Sequence, residues 1–368
     1  LLIYVGFLVI NLEVLEFVID GVAGTHRIFA PVLGSFYTVL MNVFEFLAVG
    51  VLISCVFFLL RRYALRIKRF WGAEMTSWPR RDATIILVTE IVLMMAILTM
   101  NAADQLLQQT DPVHYPATGK LFFSGYLIPV FDSFSPTVLV VIERTAWWFH
   151  IVGILAFALY VTYSKHLHIF LAFPNTYFGK LEAKGHLNNM PVVTNEVKIM
   201  LGLGDAAASP PAEPGRFGAK DVHDLNWNNL LAAYTCTECG RCTSECPANL
   251  TGKKLSPRKI MMDTRDRLEE VGKSLEAGGP GLQDGKSLLG DYITKEEINA
   301  CTSCNACVEA CPVLINPLEI IVELRRYVFM EESGAPASWN AMSQNIETSF
   351  APWKFSPSDR FNWSKEEK

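Results

Sequence analysis

Between Cys236 and Pro312 one cysteine pattern occurs twice, and no other stretch limits so strongly what the chain can fold around. The first copy is Cys236-Thr-Glu-Cys239-Gly-Arg-Cys242-Thr-Ser-Glu-Cys246-Pro247, the second Cys301-Thr-Ser-Cys304-Asn-Ala-Cys307-Val-Glu-Ala-Cys311-Pro312. Both read C-x2-C-x2-C-x3-C-P, the spacing that wraps three thiolates around one [4Fe–4S] cubane and sends the fourth to a neighbouring cluster. By that crossover, Cys236, Cys239, Cys242 and Cys311 are expected to hold one cluster, and Cys301, Cys304, Cys307 and Cys246 the other. Each proline after the fourth cysteine marks a helix start. A zinc site would leave cysteines over, and disulfides give no reason for two identical spacings.

The chain of 368 residues is long enough for two domains. It is 51% hydrophobic yet 19% charged, an average that hides two different solvents. Eight of its nine cysteines lie in the two motifs; the ninth, Cys55, sits in an apolar run and reads as a small buried residue. Thiolate-held clusters call for a reducing compartment, the cytoplasm. A net charge of −5 without a basic tail argues against nucleic acid as a partner. The opening Leu1-Leu-Ile-Tyr-Val lies inside an apolar run, so the natural N-terminus is expected upstream.

Four stretches have the length and apolarity of membrane spans, about 20 residues each: Leu1–Ile19, Phe36–Leu60, Ala83–Leu106 and Val138–Tyr163. The second loop carries Arg61, Arg62, Arg66, Lys68, Arg69, Arg80 and Arg81, against Arg27 in the first and Lys120 in the third. The excess of positive charge places the second loop in the cytoplasm. The fourth span then ends on the cytoplasmic side, where thiolate chemistry also puts the clusters. A short, proline-interrupted apolar patch, Leu121 to Phe131, reads as an interfacial or re-entrant segment.

His150 and His168 are eighteen residues apart, five whole turns of one continuous helix, which would set both imidazoles on one face roughly 27 Å apart. Buried ionisable groups in a span are a functional hypothesis by default. The run from His150 to His168, with Ser164-Lys165 before the second histidine, resembles the last helix of the cytochrome b subunit of respiratory nitrate reductase. It is also similar to that of membrane-bound heterodisulfide reductase. The resemblance implies two b-type haems ligated by His150 and His168, and a five-helix topology whose first helix lies upstream of Leu1. It places the partner histidines on the family's second helix, where Leu1–Ile19 has none. His26, in the outward loop, is therefore the expected partner of His150, and the partner of His168 is expected upstream. Glu13, Glu16 and Asp20, at i, i+3 and i+7, share one face of the first span; acids there suit proton transfer at a menaquinone or other quinone.

Residues 171–223 read as a connector with a Pro/Ala/Gly linker from Gly204 to Gly215. Asp224 to Tyr234 predicts a short helix, Ser256-Pro257 starts another through about Val271, Gly278-Gly-Pro-Gly a loop, and Thr294-Lys-Glu-Glu297 a capping box. The segment 224–330 is similar to the α-helical ferredoxin domain of the heterodisulfide reductase small iron–sulfur subunit, and to those of succinate and glycerol-3-phosphate dehydrogenases. Residues 331–368 read as an extended tail. The expected fold is mainly α: a transmembrane four-helix bundle over residues 1–170, then a cytoplasmic ferredoxin domain. No dinucleotide fingerprint, phosphate loop or nucleophile triad is present. The expected function is electron transfer in a bacterial or archaeal inner membrane, between quinone, haem b, the clusters and a soluble catalytic subunit. The heterodisulfide reductase resemblance implies a CCG-domain protein as that subunit. The alternative is a haem-free, membrane-anchored iron–sulfur relay or a structural subunit of a larger respiratory complex, with other respiratory subunits as partners.

Overall fold

The computed structural model describes residues 2–203, 216–278 and 284–365. The linker from Gly204 to Gly215 and Gly279-Pro280-Gly281 of the glycine-rich loop lie outside them. The described chain is helical, with one isolated bridge between Leu289 and Ile293. It divides into two compact units, Leu1–Ile169 and Phe170–Lys368.

Four long helices build the first unit: α1 (Leu2–Ala23), α2 (Ser35–Tyr63), α3 (Ser77–Thr110) and α4 (Pro136–Val161). Among the described residues, α2, α3 and α4 are long and apolar enough to cross a membrane; α1 has the length but carries Glu13, Glu16 and Asp20. α1 packs on α2, α2 on α3, and α3 on α4. Small residues let the helices close up: a Cβ on Gly153 would meet Leu93 Cδ2 at 2.7 Å, and one on Gly6 would meet Val51 Cγ2 at 2.8 Å. Large apolar side chains such as Leu12, Leu15, Phe46, Ile53, Leu155 and Leu159 point outward, while Glu13, Glu45, Asn101, Asp104 and His150 point in. That inversion is what hydrocarbon as solvent demands, because there only the interior can pair polar groups. Cys55 is a buried packing residue of this core.

The inward polar groups gather around Arg27, held at φ 56° by the turn after α1. Its guanidinium donates to Asn101 Oδ1 at 2.6 Å, Asp104 Oδ2 at 3.2 Å and Tyr37 Oη at 3.3 Å. One Arg27 nitrogen lies 4.0 Å from Glu13. Glu45 on α2 accepts the backbone N–H groups of Phe123 and Ser124. It thereby fixes the short helices Ser124–Leu127 and Ile128–Phe131, which are the expected interfacial segment.

The end of α4 corrects the sequence reading. The helix stops at Val161, and His168 opens a separate helix after a tight turn. The turn is built on the buried carboxylate of Asp82, which accepts from Tyr160 Oη, Ser164 Oγ at 2.7 Å and Lys165 N at 3.1 Å. Ser164 also accepts from His166 N at 3.1 Å. His150 and His168 therefore do not share one helix face.

The second unit packs α5 (Trp227–Thr235), α6 (Arg241–Ser244), α7 (Pro257–Gly278), α8 (Lys295–Asn299), α9 (Ala306–Glu309) and α10 (Pro317–Arg326) around one core. Its centre is Leu255, Ile260, Met261, Ile298, Ile320 and Leu324, with α7 lying across α5 and α10. The capping box forms as expected: Thr294 Oγ1 accepts from Glu297 N and the Glu297 carboxylate from Thr294 N. Beyond this core the chain is helical again at Ala337–Ser349 rather than extended, with no buried side chain on that helix; Trp339 stacks on Phe329.

Removing the Arg27 charge strands Asp104 in the interior, a loss of about 3 kcal/mol or more. Arg27→Leu is expected to lower the thermal unfolding midpoint of the detergent-solubilised protein well below that of Arg27→Lys. Equal midpoints would show that the network contributes no stability.

Candidate iron–sulfur centre

The two cysteine repeats fold into the same backbone twice. In each, the third residue takes positive φ, Glu238 at 57° and Ser303 at 55°. So does the fifth, Gly240 at 74° and Asn305 at 62°. Glycine and asparagine tolerate that left-handed position best, and the alternation curls each loop so that its thiols converge. One helical turn follows each loop, α6 and α9, and these two pack on each other. Pro247 then begins the short helix Pro247–Leu250, as the motif predicts. Pro312 does not start a helix; the next one begins at Pro317.

This packing interleaves the repeats. Burial pushes the Cys236 thiol up to about 12, with Cys242 and Cys239 adding to it. Burial also raises Cys311, whose thiol neighbour is Cys239 of the other repeat. On the second side burial pushes Cys307 up to about 12, and Cys301, Cys246 and Cys304 add. Cys311 thus stands by Cys239 and Cys242 of the first repeat, and Cys246 by Cys301, Cys304 and Cys307 of the second. Cys242, also pushed up to about 12 by burial, has both Cys239 and Cys307 as neighbours, so it stands where the sets meet. A cavity in the second set is lined by Cys246, Cys301, Cys304 and Cys307 under Leu318 and Ile321. Among the described residues no three histidine, cysteine, aspartate or glutamate side chains converge on a single-ion site. The four thiols of the second set line a cavity instead, a donor arrangement that suits a cubane.

Arginines fasten both loops, and the sequence pattern did not assign them that task. Arg258 is wholly buried and donates from Nη1 to the Glu238 carbonyl at 3.4 Å. Arg265 pairs with the Glu238 carboxylate at 2.8 Å. At the second loop Arg325 donates to the carbonyls of Ile298 at 2.6 Å and Cys301, and to Ser303 Oγ at 3.3 Å. The available signal was position: Arg325 ends an amphipathic helix whose apolar face lies on the core.

The haem and quinone expectations fare differently. His26 is not paired with His150: its Nε2 meets Asp104 at 2.9 Å and its Nδ1 meets Arg144 at 3.0 Å, so neither ring nitrogen is left for iron. His150 Nδ1 binds the Leu93 carbonyl at 3.0 Å, and its buried Nε2 has no partner. The ring beside it is Phe17, edge-on at 5.6 Å. His168 Nδ1 binds the Lys165 carbonyl at 3.0 Å. Of the acidic face on α1, Asp20 accepts from Arg27 N, Ile28 N and Thr25 Oγ1, and Glu16 from Phe29 N and Tyr37 Oη. Those two carboxylates cap the turn after α1 and are not free for a quinone. Glu13 is the exception: buried, with no hydrogen bond to either oxygen.

Residues 235–315 match the family described as a 4Fe-4S dicluster domain. Over 99% of its length the chain is 29% identical to "Probable iron-sulfur-binding oxidoreductase FadF" of Bacillus subtilis, covering 51% of that protein. Over 66% it is 28% identical to "EtfAB:quinone oxidoreductase" of Syntrophomonas wolfei, covering 34% of it. Over 40% it is 32% identical to "Probable membrane-anchored ferredoxin" of Chromohalobacter salexigens, covering 24% of it. The chain thus spans about half the length, or less, of these curated relatives. No solved structure matches it. The dicluster domain and the apolar helices together define a membrane-associated iron–sulfur protein of the electron-transfer class.

Arg325 closes the second loop only, so Arg325→Gln is expected to make the cluster of Cys301, Cys304 and Cys307 several-fold more labile to an iron chelator. The first cluster should keep its EPR signal, and Arg325→Lys should restore part of the resistance. Equal lability of both clusters would mean that Arg325 does not fasten that loop.

Proposed function

We propose that this chain is a membrane-anchored relay that carries electrons between a membrane quinone and a soluble partner by way of two [4Fe–4S] clusters. Cys236, Cys239, Cys242 and Cys311 would hold one, and Cys301, Cys304, Cys307 and Cys246 the other; each cluster supplies a site that gains or loses an electron. The observation that carries this reading is the cavity that Cys246 of the first repeat lines together with Cys301, Cys304 and Cys307 of the second. In this reading α1 to α4 form a multi-pass bundle over residues 1–170. Residues 171–223 connect it to a cytoplasmic ferredoxin domain over 224–330, and 331–368 follow as a tail. A relative named for EtfAB and quinone supports both the quinone and EtfAB as the soluble partner; a CCG-type partner rests on the heterodisulfide reductase resemblance alone. Exchanging Cys311 for Ser is expected to remove or convert the cluster of Cys236, Cys239 and Cys242 by EPR. Loss of the other cluster would overturn the crossover. Membranes given a reduced quinol are expected to show cluster reduction, and its absence would end the quinone link.

A single haem b is a second reading, favoured by one observation. Nδ1 of His150 is fixed by a backbone carbonyl while its buried Nε2 is unpartnered, the usual second-shell setting of an axial imidazole. The described residues supply that one nitrogen, with Phe17 rather than a histidine beside it, so no electron step is assigned to haem. A pyridine haemochrome assay decides: b-type absorbance that His150→Ala removes would support the haem, and no absorbance in the wild type would leave the haem-free relay.

A further inference from the structure

Where α2 ends and α3 begins, the chain gathers positive charge that the first unit does not neutralise. Residues 61–82 carry seven basic side chains and two acids, Glu74 and Asp82. Asp82 is buried and occupied by Tyr160, Ser164 and Lys165. Among the described residues Arg61, Arg66, Lys68, Arg80 and Arg81 form no ion pair, and all five are exposed or half-buried. Two aromatic rings draw the arginines together. The centre of the Trp71 ring lies 5.1 Å from the Arg80 guanidinium and 5.9 Å from that of Arg66. Phe70 likewise has Arg62 at 4.8 Å and Arg69 at 5.1 Å. Trp71 is itself held in place, its Nε1 donating to the Arg62 carbonyl at 3.2 Å and its ring edge-on to Tyr63.

A ring face attracts a guanidinium but leaves its full charge in place. Arg66 and Arg80 stand no more than about 11 Å apart around Trp71, close to one screening length at 0.1 M salt, so they repel each other. An anion shared between them turns that repulsion into attraction, and the fork of guanidinium N–H groups matches phosphate oxygens. The surroundings decide which phosphate. The loop joins two helices long and apolar enough to cross a membrane, so it stands at the level of lipid headgroups. Tyr63, Leu65 and Trp78 around it are exposed at 48%, 67% and 53%. Aromatic and apolar side chains at that level suit the boundary between headgroup and acyl chain, and a free phosphate would leave them uncovered. Arg61 extends the same pattern onto the span, 5.8 Å from the ring of Phe57 and 5.9 Å from that of Phe58, both exposed on α2.

We propose that this loop binds the phosphate of an anionic lipid headgroup between Arg66 and Arg80, with the acyl chains on the apolar surface of the adjoining spans. The test reconstitutes the full, cluster-loaded chain in phosphatidylcholine membranes carrying a trace of spin-labelled phosphatidylglycerol or spin-labelled phosphatidylcholine. EPR of the motionally restricted lipid is expected to show phosphatidylglycerol preferred roughly fivefold, and less so at high salt. Arg66→Gln combined with Arg80→Gln is expected to remove most of that preference, whereas Arg66→Lys with Arg80→Lys should keep part of it. Both pairs should retain the wild-type unfolding midpoint. Arg66→Gln alone, at an exposed position, serves if the double variant does not fold. An undiminished preference in a folded Gln variant would overturn the site. No preference in the wild type would also overturn it and leave the loop to an acidic protein surface. Displacement of labelled phosphatidylglycerol by inorganic phosphate would show a site for a free anion and overturn the lipid assignment. Failure of a quinol to reduce the clusters would sink the relay reading and leave this lipid preference unchanged.

Discussion

The second unit turns on where the fourth cysteine of each repeat stands: Cys246 lines a cavity with Cys301, Cys304 and Cys307, and Cys311 neighbours Cys239 and Cys242. A loop with three thiols two residues apart can curl around a space but cannot close it. Closure brings Cys246 beside 301, 304 and 307, and Cys311 beside 239. That requires α6 and α9 to pack together, which places Cys242 next to Cys307. The rest of the unit serves this arrangement: α7 and α10 form the floor, and Arg258, Arg265 and Arg325 pin the loop carbonyls and Glu238 from behind. These arginines stand beside the positive-φ residues Glu238 and Ser303, where each loop turns.

In the first unit the governing constraint is the opposite one, a solvent that pairs nothing. Every polar group must find its partner inside, and Arg27 lets several do so at once, reaching Asn101 and Asp104 on α3 and Tyr37 on α2. The network continues through Asp104 to His26 and Arg144 on α4, and so joins elements that apolar packing alone would leave free to slide. A buried charge in a membrane is usually read as a pathway. Here Glu16 and Asp20 are occupied by capping, satisfied by backbone N–H groups of residues 27–29 that no local pattern ties to them.

What was legible follows the range of the interactions. The cysteine spacing is a local covalent pattern, and the two loops share one backbone, down to Gly240 and its counterpart Asn305, although Pro312 starts no helix where the motif predicts one. Three of the four expected spans are helices long and apolar enough to cross a membrane, because a long apolar run has few alternatives, and the Thr294 capping box is complete within four residues. The haem wire failed at longer range. Eighteen residues fit five turns only if the helix continues, and Asp82, some eighty positions upstream, ends it by binding Ser164 and Lys165. His26 failed for the same kind of reason, since Asp104 and Arg144 approach it from α3 and α4. The helix Ala337–Ser349 was missed because its composition is polar and it buries no face.

The two repeats share a backbone but not an environment, and that asymmetry bears on how a relay would be oriented. Cys236 is buried and Cys304 is exposed. Cys236 follows the end of α5 directly, whereas Cys304 is exposed beside the exposed Thr302. Between them Cys242 and Cys307 are neighbours. Two equivalent loops would give no direction. In the proposed reading, exposure at the second set favours a protein partner that must approach without entering, and burial of Cys236 keeps such a partner from the first.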